Sequence, residues 1–314
     1  MLTFVTGGTG FIGKRLVKKL KEKGDDVIVF SRHEDKELSD IGVKFVIGNI
    51  IDKEDLRKAF PVDFVYHLAA NLDESDPLMF DTNVSGTKNI VELSKEYGTK
   101  GIILLSSCGV LGNTKIADEN SSYNPKTKYE KSKAEAEKIV INSGINYAII
   151  RAPIIIGPNE IWLNIIKAAK NKYPIIGSGK NHFHLAYVDD VVDFMILARE
   201  SKNALNQIFN IATPDIPTYK EVYKMICDEL GIEMPRRHMP VFLIKLIASL
   251  HLISCKIKRK KPKLVFMKSS IDRLIRDRIV SIEKAKKLLG FVPKIDTHTA
   301  LKYTIQYFKE KNML

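Results

Sequence analysis

The chain has 314 residues, 45% of them hydrophobic and 28% charged, and its 50 Lys+Arg against 37 Asp+Glu give a formal charge of +13. These proportions exclude a disordered or membrane-embedded chain, and the length favours one large α/β domain with a smaller appendage, or two domains. Cys108, Cys227 and Cys255 are odd in number and far apart with no C-x-x-C pair, so neither a disulfide framework nor a zinc site is suggested, and no metal is expected.

The first element is an apolar run carried by Leu2, Phe4 and Val5 that stops at Thr6-Gly7-Gly8. Phe11 then opens a helical pattern through Ile12, Leu16, Val17 and Leu20. Strand, glycine turn and helix follow one another, and Gly7, Gly10 and Gly13 form G-x-x-G-x-x-G. The first glycine allows the tight turn, the second a close backbone approach to a ligand, and the third tight packing of helix on strand. A pyrophosphate fits the free N–H groups at such a helix start, where the helix dipole also favours an anion. A first strand at Leu2 leaves no room for a signal peptide, and no apolar run approaches the roughly 20 residues of a spanning helix, so a cytoplasmic location is expected.

Strand-like runs recur at 27–30, 43–47, 64–68, 102–105 and 147–150, mostly with helical stretches between them. That alternation predicts βαβ units and a doubly wound parallel sheet of Rossmann type, with the ligand crevice beyond the C-terminal strand ends. Ser31-Arg32 follows the second strand, where an acidic residue would select a ribose 2′-hydroxyl and an Arg accommodates a 2′-phosphate. NADP is therefore the expected cofactor, with NAD as the alternative. Asn49 and Ile50 are placed to bracket the adenine, and Leu68, Ala69 and Ala70 offer small groups beside the cofactor backbone. His67 is read as a partly buried structural imidazole.

The fifth strand ends in Ser106-Ser107-Cys108-Gly109-Val110, and a helix introduced by Asn124-Pro125 carries Tyr129-Glu130-Lys131-Ser132-Lys133. Tyr129 and Lys133 stand at i and i+4, on one helix face. A phenol of pKa about 10 is a poor base at neutral pH, and neighbouring positive charge favours its phenolate. Ser107 is placed to hydrogen-bond the substrate oxygen that exchanges the proton.

With these residues in view, the chain resembles an extended short-chain dehydrogenase/reductase, the superfamily of NAD-dependent epimerases and dehydratases. Thr6 to Gly13 fits the nucleotide signature, Tyr129 and Lys133 the catalytic pair, and Ser107 the catalytic Ser or Thr. The likeness continues through His67 to Ala70, Asn83-Val84-Ser85-Gly86-Thr87, Arg151-Ala152-Pro153, Tyr187-Val188-Asp189-Asp190 and 285–293. It implies catalytic roles for Ser107, Tyr129 and Lys133, and cofactor contacts from Gly7, Gly10, Phe11, Ile12, Gly13, Ser31, Arg32, Asn49, Ile50, Leu68, Ala69, Ala70, Tyr129, Lys133 and Pro153. Nucleotide-sugar members tend to carry an Asn where this chain has Ile154 and an Arg where it has Phe183; both replacements remove donors to a diphosphate. Cys108, Ile154 and Phe183 are the candidate substrate contacts.

The expected organisation is a dinucleotide-binding core at 1–153, rejoined by a strand at 208–212, and a smaller substrate-binding α/β region at 154–314. In that region Asp189 or Asp190 is read as the N-cap of a helix at 191–199. The stretch 240–253 is rich in Leu and Ile and precedes a basic cluster at 256–263. It reads as a buried lid helix followed by a solvated basic loop; contact between 240–263 and an anionic membrane surface, or a helix walling an apolar substrate pocket, are the other options. A similar apolar stretch marks the branch resembling 3β-hydroxysteroid dehydrogenases and dihydroflavonol reductases. The expected function is NAD(P)-dependent hydride transfer at an alcohol or ketone carbon, with a nucleotide-sugar epimerase or dehydratase as the alternative. The expected partner is a small-molecule substrate, with no nucleic acid and with a homodimer left open.

Overall fold

The structure is a computed structural model that describes residues 1–258 and 268–314, leaving out the side chains of Lys256 and Lys268. Most of the basic cluster at 256–263 lies outside the described residues. The chain opens with β1 (Leu2–Thr6), α1 (Phe11–Glu22), β2 (Asp26–Ser31), α2 (Lys36–Asp40), β3 (Lys44–Ile47), α3 (Lys53–Arg57), β4 (Phe64–His67), α4 (Met79–Glu96), β5 (Gly101–Ser107) and α5 (Lys128–Ile141). Strand Tyr147–Ala152 pairs with β5, and strand Gln207–Asn210 returns after an excursion to pair with Tyr147–Ala152. The central sheet has seven strands, all parallel, in the order Gln207–Asn210, Tyr147–Ala152, β5, β4, β1, β2, β3. The winding reverses between β1 and β4, which puts the ligand crevice past Thr6 and His67, paired neighbours at the ends of those strands.

The period-two alternation of the strands explains the two cores. Val5, Val29, Tyr66 and Ile103 point to one face with Leu16, Val17 and Leu20 of α1. Phe4, Phe30, Val65 and Ile102 point to the other with Ile90 and Leu93 of α4. Both faces are covered, which is why these strands are nearly continuously apolar. A further core after Ala152 gathers Trp162, Ile166, Phe183, Tyr219, Leu301 and Phe308.

One local expectation is corrected. The helix runs Val188–Glu200, and its N-cap Tyr187 makes no side-chain cap bond. Strand Leu185–Tyr187 feeds directly into it, so Asp189 and Asp190 fall within the first turn, where carboxylates suit the dipole. Asp190 is still a backbone acceptor, but for another segment: it receives the N–H groups of Lys294 and Ile295, both at 3.3 Å.

Candidate active site

Past the end of β1, Gly7 has φ +70°, and a Cβ there would come within 2.8 Å of the Ala69 nitrogen. A Cβ on Gly13 would lie 2.1 Å from the Gly7 carbonyl oxygen, so both positions admit only glycine. Gly10 N–H donates to Gly7 O at 3.0 Å and closes the turn. Gly10 is also the N-cap of α1, with no side-chain bond and no acidic residue in the first turn. The first intrahelical bond is Lys14 N–H to Gly10 O at 3.0 Å, so the N–H groups of Phe11, Ile12 and Gly13 precede it and face the turn. This cradle fits a diphosphate. Arg15 supports its rim, stacking 4.8 Å from the Phe11 ring and pairing with Asp189 at 3.4 Å.

A buried chain of hydrogen bonds runs from this loop to α5. Ala69 N–H donates to Thr6 Oγ1 at 3.2 Å, and Thr6 Oγ1 lies 2.7 Å from His67 Nδ1. His67 Nε2 lies 2.9 Å from Thr87 Oγ1, which donates to the Asn83 carbonyl at 2.6 Å. These partners require an Nε2–H imidazole that accepts at Nδ1. Burial pushes the His67 pKa down to about 3, with the Lys133 ammonium acting in the same direction. His67 is thus neutral and structural, and fully buried. Asn83 continues the chain, accepting Asn71 N–H at 2.7 Å and donating to Ser132 Oγ at 2.9 Å. Ser132 then donates to the Tyr129 carbonyl at 2.7 Å.

Helix α5 begins with a capping box in which Thr127 Oγ1 accepts Glu130 N–H and the Glu130 carboxylate accepts Thr127 N–H. Tyr129 and Lys133 follow on one face. The Tyr129 ring is half-buried, its hydroxyl makes no hydrogen bond among the described residues, and burial pushes its pKa up while the Arg273 guanidinium draws it down. Lys133 is 2% exposed and has no hydrogen bond or ion pair among the described residues. Burial pushes its pKa down to about 8, and the Glu137 carboxylate opposes that. An ammonium buried without an acceptor is costly, and a ligand hydroxyl would satisfy it. Ser107 ends β5, and its Oγ accepts Gly109 N–H at 3.0 Å, which leaves its proton free to donate.

Several residues at this site were not read from the sequence. Arg276 bonds Glu130 in a pair whose side chains are 9% and 2% exposed, tying the C-terminal segment to the first turn of α5. One turn earlier, on helix Lys268–Ile275, Arg273 donates to Ser269 O at 3.3 Å and Ser270 Oγ at 3.2 Å. Helix α5 starts at Lys128 with Thr127 as its N-cap rather than at Asn124-Pro125, and the Thr127-x-x-Glu130 spacing is the local signal of that cap; nothing local signals Arg276, 146 residues from its partner. Beneath β5, Glu137 forms a buried pair with Arg151 at 2.7 Å and accepts Ser106 Oγ–H and Tyr123 O–H.

At the end of β2, Ser31 is 9% exposed and donates to His33 O at 2.6 Å, whereas Arg32 is exposed with no partner among the described residues. Two of the nearby acids are engaged, Asp35 with Lys14 at 2.6 Å and Glu37 with Lys18, whereas Glu34 is exposed with no partner among the described residues. Asn49 is exposed with Oδ1 accepting Ile51 N–H at 3.3 Å, and Ile50 is 8% exposed within the core. Ala69 and Ala70 are half-buried beside the glycine loop.

Of the candidate substrate contacts, Cys108 is fully buried, and burial pushes its thiol up to about 12. Phe183 is 4% exposed with its ring 5.3 Å from Tyr219, so it belongs to the C-terminal core, and Ile154 packs partly buried against that core. Pro153, half-buried, links strand Tyr147–Ala152 to strand Ile154–Ile156. His184 uses both ring nitrogens, at 2.9 Å from Thr213 O and 3.1 Å from Val280 N, and His182 Nδ1 lies 2.7 Å from Asp277. Among the described residues no group of His, Cys, Asp and Glu could hold a metal ion.

Residues 3–212 match the model of the NAD dependent epimerase/dehydratase family. The chain is 29% identical to the mouse sterol-4-alpha-carboxylate 3-dehydrogenase, decarboxylating, over 97% of this chain and 90% of that protein. It is 30% identical to a putative UDP-glucose 4-epimerase of Methanocaldococcus jannaschii over 99% of both. The UDP-glucose 4-epimerase of Thermotoga maritima, solved with UDP-glucose, superposes with a TM-score of 0.80 at 25% identity, covering 99% of this chain and 100% of that one. The chain therefore belongs to the NAD dependent epimerase/dehydratase family, and it is an extended short-chain dehydrogenase/reductase enzyme.

Proposed function

We propose that the chain is an NADP(H)-preferring oxidoreductase that moves hydride between the nicotinamide and an alcohol or ketone carbon on an apolar or amphipathic substrate. The observation that carries the reading is Lys133, buried without an acceptor one turn beyond Tyr129 and close enough to His67 to help hold that imidazole neutral. His67 is itself bonded to Thr6 at the glycine loop, so the ammonium stands where the cradle leads. Gly7, Gly10, Phe11, Ile12 and Gly13 would hold the diphosphate, Ser31 and Arg32 the 2′-phosphate, Asn49 and Ile50 the adenine, and Leu68, Ala69, Ala70 and Pro153 the path to the nicotinamide.

When bound, the nicotinamide supplies hydride chemistry at its C4. The protein supplies the proton. Ser107 donates to the substrate oxygen and orients it, and the Tyr129 hydroxyl gives that oxygen a proton in reduction or accepts one in oxidation. Lys133, cationic below pH about 8, would hydrogen-bond the nicotinamide ribose, and a positive charge held beside the phenol would favour its phenolate. Arg273 favours the phenolate from the opposite element.

The likeness to sterol dehydrogenases supports a hydrophobic substrate body, and Ile154 and Phe183, packed in the C-terminal core, offer no amide or guanidinium to a diphosphate. A nucleotide-sugar epimerase or dehydratase is the second reading. It is favoured by the Arg273 guanidinium, which pairs with no carboxylate among the described residues, and by the likeness to UDP-glucose 4-epimerases. Thermal stabilisation separates them: a ligand at 100 times its dissociation constant adds about 2.7 kcal/mol. Cyclic hydrophobic ketones with NADP(H) are expected to stabilise the protein. Stabilisation by UDP instead would favour the second reading.

A further inference from the structure

Helix Val241–Ile257 reads V-F-L-I-K-L-I-A-S-L-H-L-I-S-C-K-I and is apolar on nearly every side. One side docks on the protein: Ala248 is fully buried, and Lys245 pairs with Asp272 at 2.6 Å. The other side is bare, so the helix is not the buried lid that its apolar composition predicts. Phe242, Leu246, Leu250, Ile253 and Ile257 are 74%, 53%, 58%, 54% and 78% exposed, and their spacing of three or four residues aligns them in one stripe. A helix apolar all round is ordinarily buried, so this stripe calls for a cover.

Charge identifies the cover. From 234 to 271 the sequence holds ten Lys or Arg and no Asp or Glu. Arg236 and Arg237 are exposed just before the helix, and Lys258 is exposed just after it. Cations therefore flank the stripe at both ends. A second copy related by a two-fold axis would set this cationic stretch against itself or its neighbours, which like-charge repulsion disfavours. An anionic surface meets both requirements. At 17 residues the helix is about 25 Å long, short of a hydrocarbon core of about 30 Å, and among the described residues no helix is long and apolar enough to cross a membrane.

We propose that this face docks on an anionic phospholipid bilayer, the helix lying in the interfacial plane with its apolar stripe at the acyl boundary and its flanking cations on the headgroup phosphates. The test uses the full chain and vesicles of phosphatidylcholine with or without an equal part of phosphatidylglycerol. Co-sedimentation is expected on the anionic vesicles, at least on the order of tenfold weaker on phosphatidylcholine alone, and weakened again by high salt. The double variant Leu246→Glu/Leu250→Glu is expected to lose vesicle binding while keeping the wild-type circular dichroism. Because Trp162 is fully buried, Leu250→Trp provides a milder reporter whose emission shifts to the blue on anionic vesicles. Equal binding to both vesicle types, binding unchanged in the double variant, an unshifted emission from the Leu250→Trp variant, or a stable dimer that the double variant dissociates without vesicle binding in the wild type would each overturn the proposal.

Discussion

Asn83 Nδ2 donates to Ser132 Oγ at 2.9 Å, across 49 residues of chain. The bond joins α4 to the middle of the Tyr129–Lys133 turn, and through Thr87 and His67 it reaches Thr6 at the glycine loop. The glycine loop and the helix carrying Tyr129 and Lys133 are thereby one hydrogen-bonded unit. Within it Thr6, His67, Thr87, Asn83 and Ser132 are all partnered, whereas the Lys133 ammonium and the Tyr129 hydroxyl have no partner among the described residues.

The Lys133 ammonium sets a pH dependence. The Lys133 pKa falls from 10.5 to about 8 in the folded chain. Between those values the unfolded chain holds a proton that the folded chain has lost, so stability rises with pH across that window. The gain is up to about 3 kcal/mol. Urea unfolding of wild type and Lys133→Met from pH 7 to 10.5 checks it: the gap between the two curves should close with the wild type rising. A parallel pair would show that Lys133 ionises in the folded chain as it does in water.

Replacing His67 tests the network without touching the proposed chemistry. His67→Phe leaves the Thr6 and Thr87 hydroxyls without their imidazole partner, at about 1–3 kcal/mol each. Calorimetric melting should report a large loss, and NADP(H) affinity should fall with it, because Ala69 and the glycine loop lose a common anchor. A variant as stable as wild type would remove the network from the account.

Arg276→Ala breaks a buried ion pair and strands the Glu130 carboxylate, which typically costs about 3–5 kcal/mol. The expected signature is a lower melting temperature, partly recovered at acid pH as Glu130 becomes protonated. Arg276→Ala/Glu130→Gln should recover much of the loss at neutral pH. Failure of the second substitution to recover stability would place the cost elsewhere.

Cofactor preference should rest on Arg32. Arg32→Ala is expected to weaken NADP(H) by about 1–3 kcal/mol through lost charge-assisted hydrogen bonds and to leave NAD(H) nearly unchanged. Titration calorimetry with both cofactors decides it. Equal losses, or a wild-type preference for NAD(H), would reverse the assignment.

The sequence displayed what is encoded over short spans. The glycine spacing, the strand before it and helix after it, and the i, i+4 pair of Tyr129 and Lys133 all follow from local geometry. So did the parallel sheet, because strands buried on both faces are apolar throughout. What stayed hidden joins distant segments. Nothing near Glu130 announces Arg276, and nothing near Tyr129 announces Arg273. Asp190 looks like an N-cap from its position alone, and only the approach of Lys294 and Ile295 gives it its partners. Helix Val241–Ile257 shows a further limit: its residues are plainly apolar, but their pattern does not say which side the rest of the chain covers.

The most direct measurement follows a label. Protein is supplied with NADPH carrying deuterium at the transferable C4 position and with a cyclic hydrophobic ketone, and the product is analysed by mass spectrometry alongside Tyr129→Phe. The account predicts one NADPH consumed per alcohol formed, deuterium on the carbinol carbon, and turnover abolished in Tyr129→Phe with NADPH affinity retained. Retained turnover in Tyr129→Phe, or interconversion of a UDP-hexose with no net consumption of cofactor, would contradict it.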